Sequence, residues 1–285
     1  MILPAPEGKL AMETKTWLIT GCSTGFGRAM GEELLSRGEN VVLTARKPEV
    51  LDTLVAAFPD HAMALRLDVT QPAEIADALA AARARFSRID ALVNNAGHGL
   101  LALVEDGALE TARDMMEVHY FGVLELIKAV LPEMRARRSG TIVNVGSVAG
   151  QIGFPALSHY CSSKFALAAL TESLAAEVRA LGIKVILAEL GPFATDFTGS
   201  MQMTMPTTPD YDLAAMSVLA GNSHWSAGEN PRAGARALLA ALEDPEPPVR
   251  LVLGPEGLEV ADLHDGRRRD ARDRWRETGM LSAFI

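Results

Sequence analysis

Tyr160 and Lys164 stand four residues apart in the run Tyr160-Cys161-Ser162-Ser163-Lys164, and Ser147 lies thirteen residues before the tyrosine. Residues four apart share one face of a helix, so a helical run brings the ammonium beside the phenol. A phenol ordinarily titrates near pH ~10, and a cation within about 4–6 Å favours its ionised form. At an effective dielectric of about 20 and a separation of about 4 Å the attraction is about 4 kcal/mol, roughly a thousandfold in the proton equilibrium, before desolvation opposes it. Such a pair can shuttle a proton near neutral pH. Ser147 follows the strand-like run Gly140-Thr141-Ile142-Val143-Asn144-Val145, and from a strand end it can donate a hydrogen bond to a carbonyl or alcohol oxygen. A lone Tyr-x-x-x-Lys pair is more often a surface tyrosine beside a solvated lysine, so the assignment needs an independent signal.

That signal lies near the other end of the chain. Thr20-Gly21-Cys22-Ser23-Thr24-Gly25-Phe26-Gly27-Arg28 follows the apolar run Trp17-Leu18-Ile19 and precedes a helical pattern with Met30, Leu34 and Leu35 on one face. This is strand, glycine turn, helix. Gly21 permits the tight turn, Gly25 lets backbone approach a pyrophosphate, and Gly27 allows close packing, while free N–H groups at the helix start bind the anion. The spacing is G-x-x-x-G-x-G, and an ordinary strand-to-helix connection is the competing reading. Its place at the first strand–helix junction favours dinucleotide binding.

The next strand, Val41 to Thr44, ends at Ala45 and Arg46, where an NAD-binding protein would carry a carboxylate for the adenosine ribose 2′-hydroxyl. No acid stands there. Arg46 can instead pair with a 2′-phosphate, so the expected cofactor is NADP(H). Against this, Arg46 and Lys47 also suit the start of a solvated loop.

With these pieces the chain resembles the short-chain dehydrogenase/reductase family from about Thr16 to the last predicted strand. The resemblance implies that Gly21, Ser23, Thr24, Gly25, Phe26 and Gly27 form the pyrophosphate turn, that Asp68 and Val69 meet the adenine, and that Asn95, Ala96 and Gly97, after Asn94, lie on the adenosine side. It implies Ser147, Tyr160 and Lys164 as the catalytic trio, with Tyr160 and Lys164 also contacting the cofactor. Pro192 and Thr195 follow the sixth strand, and the threonine is implied to hold the nicotinamide carboxamide. Two positions depart from the family. His119 replaces an asparagine that supports a helix kink and a water chain to the lysine; a histidine either keeps a titratable nitrogen in that relay or merely packs between helices. Leu190 stands where a proline is common. The segments Thr44-Ala45-Arg46 and Gly191 to Phe197 are closer to the hydroxysteroid-dehydrogenase-like branch than to fatty-acid ketoreductases.

The implied activity is reversible hydride transfer between NADP(H) and an apolar alcohol or carbonyl substrate, with Tyr160 moving the proton. A catalytically silent NADP(H)-sensing protein, or a dehydratase or epimerase on the same scaffold, are the alternatives. The expected fold is α/β: a single Rossmann-type, doubly wound, mostly parallel sheet of about seven strands with helices on both faces. At 285 residues and 48 % hydrophobic side chains the chain is long enough for one such domain, expected over 15–285 after a loose extension over residues 1–14. A formal charge of −9 argues against a nucleic-acid partner. Two cysteines, Cys22 and Cys161, make no disulfide framework, and the six histidines show no spacing that reads as a metal site, so no metal is expected. No run approaches the ~20 apolar residues of a membrane span and no secretory signal is seen, so a cytoplasmic location is expected.

Phe197 to Asn230 combines Met201, Met203, Met205, Tyr211, Met216 and Trp225 without a clear period, and reads either as an apolar lid or as an insertion packed on the core or a neighbouring subunit. Leu100, Leu101, Leu103, Phe154 and Pro155 suit pocket walls or core equally. Pro231 to Leu242 reads as a helix, and Val249 to Leu253 as the last strand. The tail over 264–285 mixes arginines with acids as a solvated helix, with Trp275 a possible anchor to the body or a second chain. Assembly as a homodimer or homotetramer through the long helices is implied by the resemblance.

Overall fold

Runs of Val, Ile, Leu and Trp without alternation form strands that helices cover on both faces. In the computed structural model, which describes residues 14–197, 199, 201–211 and 228–281, these are β1 (Thr16–Ile19), β2 (Asn40–Ala45), β3 (Ala62–Arg66) and β4 (Ala91–Asn94). A two-residue β5 (Leu100–Leu101) comes next, then β6 (Gly140–Ser147), β7 (Ile183–Leu190), another two-residue strand β8 (Gln202–Met203), and β9 (Arg250–Leu253). Seven of them lie parallel in the order β3-β2-β1-β4-β6-β7-β9. The doubly wound sheet expected from the sequence is therefore observed, fully parallel among the described residues.

Side chains alternate across it. Trp17, Ile19, Val41 and Leu43 pack with helix α1 (Gly25–Ser36), with Leu54 of α2 (Asp52–Ala57), and with Leu238 and Leu239 of the helix over Pro231–Glu243. Leu18, Val42 and Leu92 face the opposite way, toward α3 (Pro72–Phe86), α5 (Gly122–Arg137) and α6 (Ser158–Val178), as the two-residue period of a strand dictates. Before α5 the chain passes through α4 (Leu109–Met116) and a π-helical turn over Glu117–Phe121.

The winding reverses between β1 and β4, so a crevice opens at their carboxyl ends. Register brings the chemistry to that edge. Ile19 pairs with Val93, Asn94 with Asn144, and Ser147 with Leu190. The glycine turn, the loop after Asn94, Ser147 and Gly191 consequently leave the sheet side by side.

The described part of the expected lid is a strap. Leu100 and Leu101 pair with Gln202 and Met203, Thr207 donates to the Asp106 carboxylate through N–H and Oγ1 at 3.3 and 2.6 Å, and the Tyr211 hydroxyl meets Glu105. Met216 and Trp225 lie outside the described residues. At the far end, helix Pro255–Arg274 buries only Gly257 and Ala261, because the sequence beyond is charged on every face. Trp275 is 59 % exposed and lies beside the Arg274 guanidinium, so among the described residues it does not anchor the tail to the body of this chain. Among the described residues no helix is long and apolar enough to cross a membrane.

Candidate active site

The glycine turn is held by its neighbours. Gly21 has φ of 71°, in the left-handed region open to glycine, and a Cβ there would lie 2.8 Å from Ala96 Cα. Asn95 Nδ2 donates to the carbonyls of Thr20 and Gly21, both at 2.9 Å, and a Cβ on Gly27 would collide with that amide at 2.3 Å. Thr20 completes the brace: its Oγ1 accepts from the N–H groups of Asn95 and Ala96, each at 2.9 Å. Sequence reasoning gave Thr20 no role, although a hydroxyl ahead of a glycine turn is a usable signal. Helix α1 opens after Thr24 with no side-chain cap and no acid in its first turn. Its leading N–H groups are left for an anion, which fits a pyrophosphate.

The trio meets in one cavity. Ser147 closes β6, accepts from the Ala149 N–H at 3.2 Å and lies close enough to the Tyr160 phenol to influence its titration. Tyr160 and Lys164 occupy the first turns of α6, at 8 % and 6 % exposure. Lys164 Nζ donates to the Val145 carbonyl at 2.9 Å and stands 5.8 Å from the centre of the phenol ring. Burial pushes the ammonium down to about 8. It also raises the Tyr160 phenol above its ordinary range, with Ser147 pulling the other way. The expectation that Lys164 would make this phenol acidic is corrected here. Desolvation of the phenol is the largest influence on it and raises it, where spacing alone implied a fall. Tyr160 stays protonated at neutral pH.

These groups line a cleft of about 1360 Å³ along the carboxyl edge of the sheet. Every residue anticipated at the site lines it except Gly27 and His119, which lie behind the wall. Arg46 is exposed on the rim beside Asp68, while neighbouring Arg66 is engaged by Glu74 and by the Arg46 carbonyl. Asp68 is oriented by Thr70, whose N–H and hydroxyl donate to Oδ1 at 3.0 and 2.7 Å. Phe154, Pro155, Phe197 and Met201 form an apolar wall, with the Phe197 ring 5.6 Å from that of Tyr160. Leu100 and Leu101 do not reach the cleft and are buried in the cluster behind it, against which Leu103 packs. His98 does reach it and was not anticipated as a site residue.

His119 sits fully inside the protein at the middle of the π-helical turn. Its Nε2 accepts from the His98 N–H at 3.1 Å, its Nδ1 is 2.8 Å from Ser163 Oγ, and Ser163 Oγ donates to the Tyr160 carbonyl at 2.7 Å. Cys22 is buried in the glycine turn with its thiol pushed up to about 12 by desolvation, and burial also raises Cys161. Neither thiol is a nucleophile here.

A family model described as short chain dehydrogenase matches residues 15–206. The chain belongs to the short-chain dehydrogenase family. It is 38 % identical over 274 residues to an oxidoreductase, BOA17, of Botryotinia fuckeliana, covering 95 % of this chain and 100 % of that one. It is 34 % identical to a 3-ketodihydrosphingosine reductase of Bacteroides thetaiotaomicron, over 86 % of this chain and 89 % of the relative. Among solved structures, a short-chain dehydrogenase from Streptomyces avermitilis superimposes with a TM-score of 0.88 at 37 % identity, covering 95 % of this chain and 98 % of its own. Hydroxysteroid dehydrogenases and 3-oxoacyl-[acyl-carrier-protein] reductases are both among the relatives, at 37 % and 38 % identity, so the likeness to the first is present without being the stronger one.

Two buried polar groups support this dehydrogenase's site from below and were not legible as such. Asn94 Nδ2 donates to Asn144 Oδ1 at 2.8 Å, and Asn144 Nδ2 donates to Thr171 Oγ1 at 2.9 Å, tying β4 and β6 to α6. Glu189, at 0 % exposure on β7, is held by Arg250 of β9 and by Gln151 Nε2 at 2.7 Å. The available signal was a polar residue inside an otherwise apolar strand, since such a residue needs partners to be buried at all.

Proposed function

We propose that this dehydrogenase uses NADP(H) in preference to NAD(H) and interconverts a ketone and a secondary alcohol, or an aldehyde and a primary alcohol, on a largely apolar substrate. The observation that carries the reading is the meeting of Ser147, Tyr160 and Lys164 in one cavity beside the glycine turn. A bound nicotinamide supplies or accepts the hydride. In reduction, Tyr160 donates its phenolic proton to the substrate oxygen, and Ser147 donates a hydrogen bond to the same atom. Lys164 supplies positive charge beside the phenolate left behind. The wall of Phe154, Pro155, Phe197 and Met201 favours a carbonyl carried on hydrocarbon, and the relative named as a 3-ketodihydrosphingosine reductase supports the same direction. Nicotinamide absorbance followed with aromatic, aliphatic and steroid ketones and alcohols tests the class. A cofactor that binds yet is neither oxidised nor reduced with any of them would return the chain to a sensing role or to a dehydratase or epimerase.

Arg46 carries the cofactor preference. Its exposed guanidinium on the rim suits a 2′-phosphate, and no carboxylate stands at the end of β2 to repel one. Losing a charge-assisted pair of about 1.5–3 kcal/mol should raise the KM for NADPH in Arg46→Ala by about tenfold or more, with NADH little affected. Equal change for both cofactors in steady-state kinetics would dismiss the assignment.

The reaction should also report Lys164. Below about pH 8 the ammonium is charged, and above it the charge that stabilises the developing phenolate is lost. Carbonyl reduction is therefore expected to be level with pH below that point and to fall above it. A rate still level at about pH 9.5 would take Lys164 out of this role.

A further inference from the structure

We infer that His119 is a positioning residue, held as its Nδ1–H tautomer to fix the first turn of α6 against the loop after β4, and that no proton of the reaction passes through its ring. The inference deepens the dehydrogenase reading and rests on it for what is being positioned. The tautomer follows from the partners. A backbone N–H can only donate, so Nε2, 3.1 Å from the His98 nitrogen, is an acceptor. The ring proton is then on Nδ1, which donates to Ser163 Oγ at 2.8 Å, and the Ser163 hydroxyl spends its own proton on the Tyr160 carbonyl at 2.7 Å. Both ring nitrogens are committed. Protonating Nε2 would set one N–H against another.

The surroundings enforce the same state. From α6 the ring is faced by Lys164, by Ser163, and edge-on by the Tyr160 ring at 5.8 Å; from the loop it is faced by the His98 ring at 5.5 Å. Burial, then the Lys164 charge, then His98 hold His119 well below the ordinary imidazole range. His98 is itself lowered, by burial first and then by Arg46 and Lys164, against an opposing pull from Asp114. Gly97 belongs to the device, because a Cβ there would lie 2.9 Å from His119 Nε2. Neither ring nitrogen of His119 is bonded to Lys164, which donates to the Val145 carbonyl. What His119 joins instead is three segments: the π-helical turn that carries it, the loop at His98, and α6 between Tyr160 and Lys164. A π-turn breaks the regular helical ladder and re-aims its side chains, which is how the imidazole reaches both partners.

The test has two readouts on the full chain. Imidazole ¹⁵N spectra of the histidine-labelled protein, with His119 assigned by its loss in His119→Asn, should show an Nδ1–H tautomer that does not titrate between about pH 5.5 and 8.5. This result is independent of turnover, so it stands or falls apart from the dehydrogenase reading. In kinetics, glutamine at 119 can restore the acceptor to His98 and asparagine the donor to Ser163, one bond each. His119→Gln, His119→Asn and Ser163→Ala should each lower kcat/KM by about tenfold to a hundredfold, as misplacement of reacting groups does, while the pH at which the rate breaks stays where it is in the parent. A ring that titrates within that range, a break that moves by about one pH unit in His119→Gln, or variants with parental kcat/KM would each overturn the inference. Should His119→Asn fail to fold, replacing His61, His98, His159, His224 and His264 in turn assigns His119 by elimination, and the spectrum of the unsubstituted protein still decides.

Discussion

Tyr160→Phe is expected to lower kcat by about a hundredfold to ten-thousandfold, the usual contribution of a positioned general acid, with little change in NADPH affinity. The substitution removes one oxygen and leaves the ring in its cluster with Leu157, Cys161, Phe154 and Phe197, so packing around the site is kept. Ser147 keeps the Ala149 N–H and its place on the cleft. What disappears is the proton. Because burial keeps that phenol protonated at neutral pH, the loss should be felt directly in carbonyl reduction. Fluorescence titration with NADPH and a carbonyl assay on the same sample separate the two effects. Turnover within about tenfold of the parent would remove Tyr160 from the centre of the mechanism.

The second large effect is on stability. Glu189 is buried on β7, and Arg250 engages both of its carboxylate oxygens while also reaching Glu172 on α6 at 2.8 Å. Arg250→Met would leave a buried carboxylate with only Gln151 as a donor among these partners. Removing one member of a buried pair costs about 3–5 kcal/mol; since Arg250 is partly exposed and water can follow it, about 3 kcal/mol is expected. That is a large share of the roughly 5–15 kcal/mol by which a folded protein is stable. Urea unfolding should show it, and the double replacement Glu189→Leu with Arg250→Met should recover most of the loss by removing the stranded charge. A loss below about 1 kcal/mol in the single variant would mean the carboxylate is solvated or neutralised another way. Gly191 follows β7 into the cleft, so loosening this pair also loosens a wall of the site.

The two predictions depend differently on what could be read in advance. Tyr160 was legible because helical spacing alone puts residues 160 and 164 together, and the glycine turn because only glycine tolerates the φ of Gly21 and the approach of Asn95 to Gly27. The parallel sheet was legible in its unbroken apolar strands, which local composition dictates. Arg250 and Glu189 were not, since their pairing is a matter of which strands become neighbours, 61 residues apart in the chain. Leu100 and Leu101 illustrate the same limit, for an apolar residue carries no mark saying whether it will line a cavity or fill the layer behind it. Of the two places where Trp275 was expected to anchor, the body of this chain or a second chain, the first is not used among the described residues, because the helix leading to it offers no apolar stripe to dock.

Residue order therefore dictated the strands, the glycine turn and the side of the helix that holds Tyr160, all of which follow from backbone sterics and short-range spacing. Folding alone set the protonation of that phenol and the partners of His119. Both depend on how completely water is removed and which distant hydrogen-bond partners arrive, and desolvation in the cleft raised the phenol where sequence spacing implied a fall.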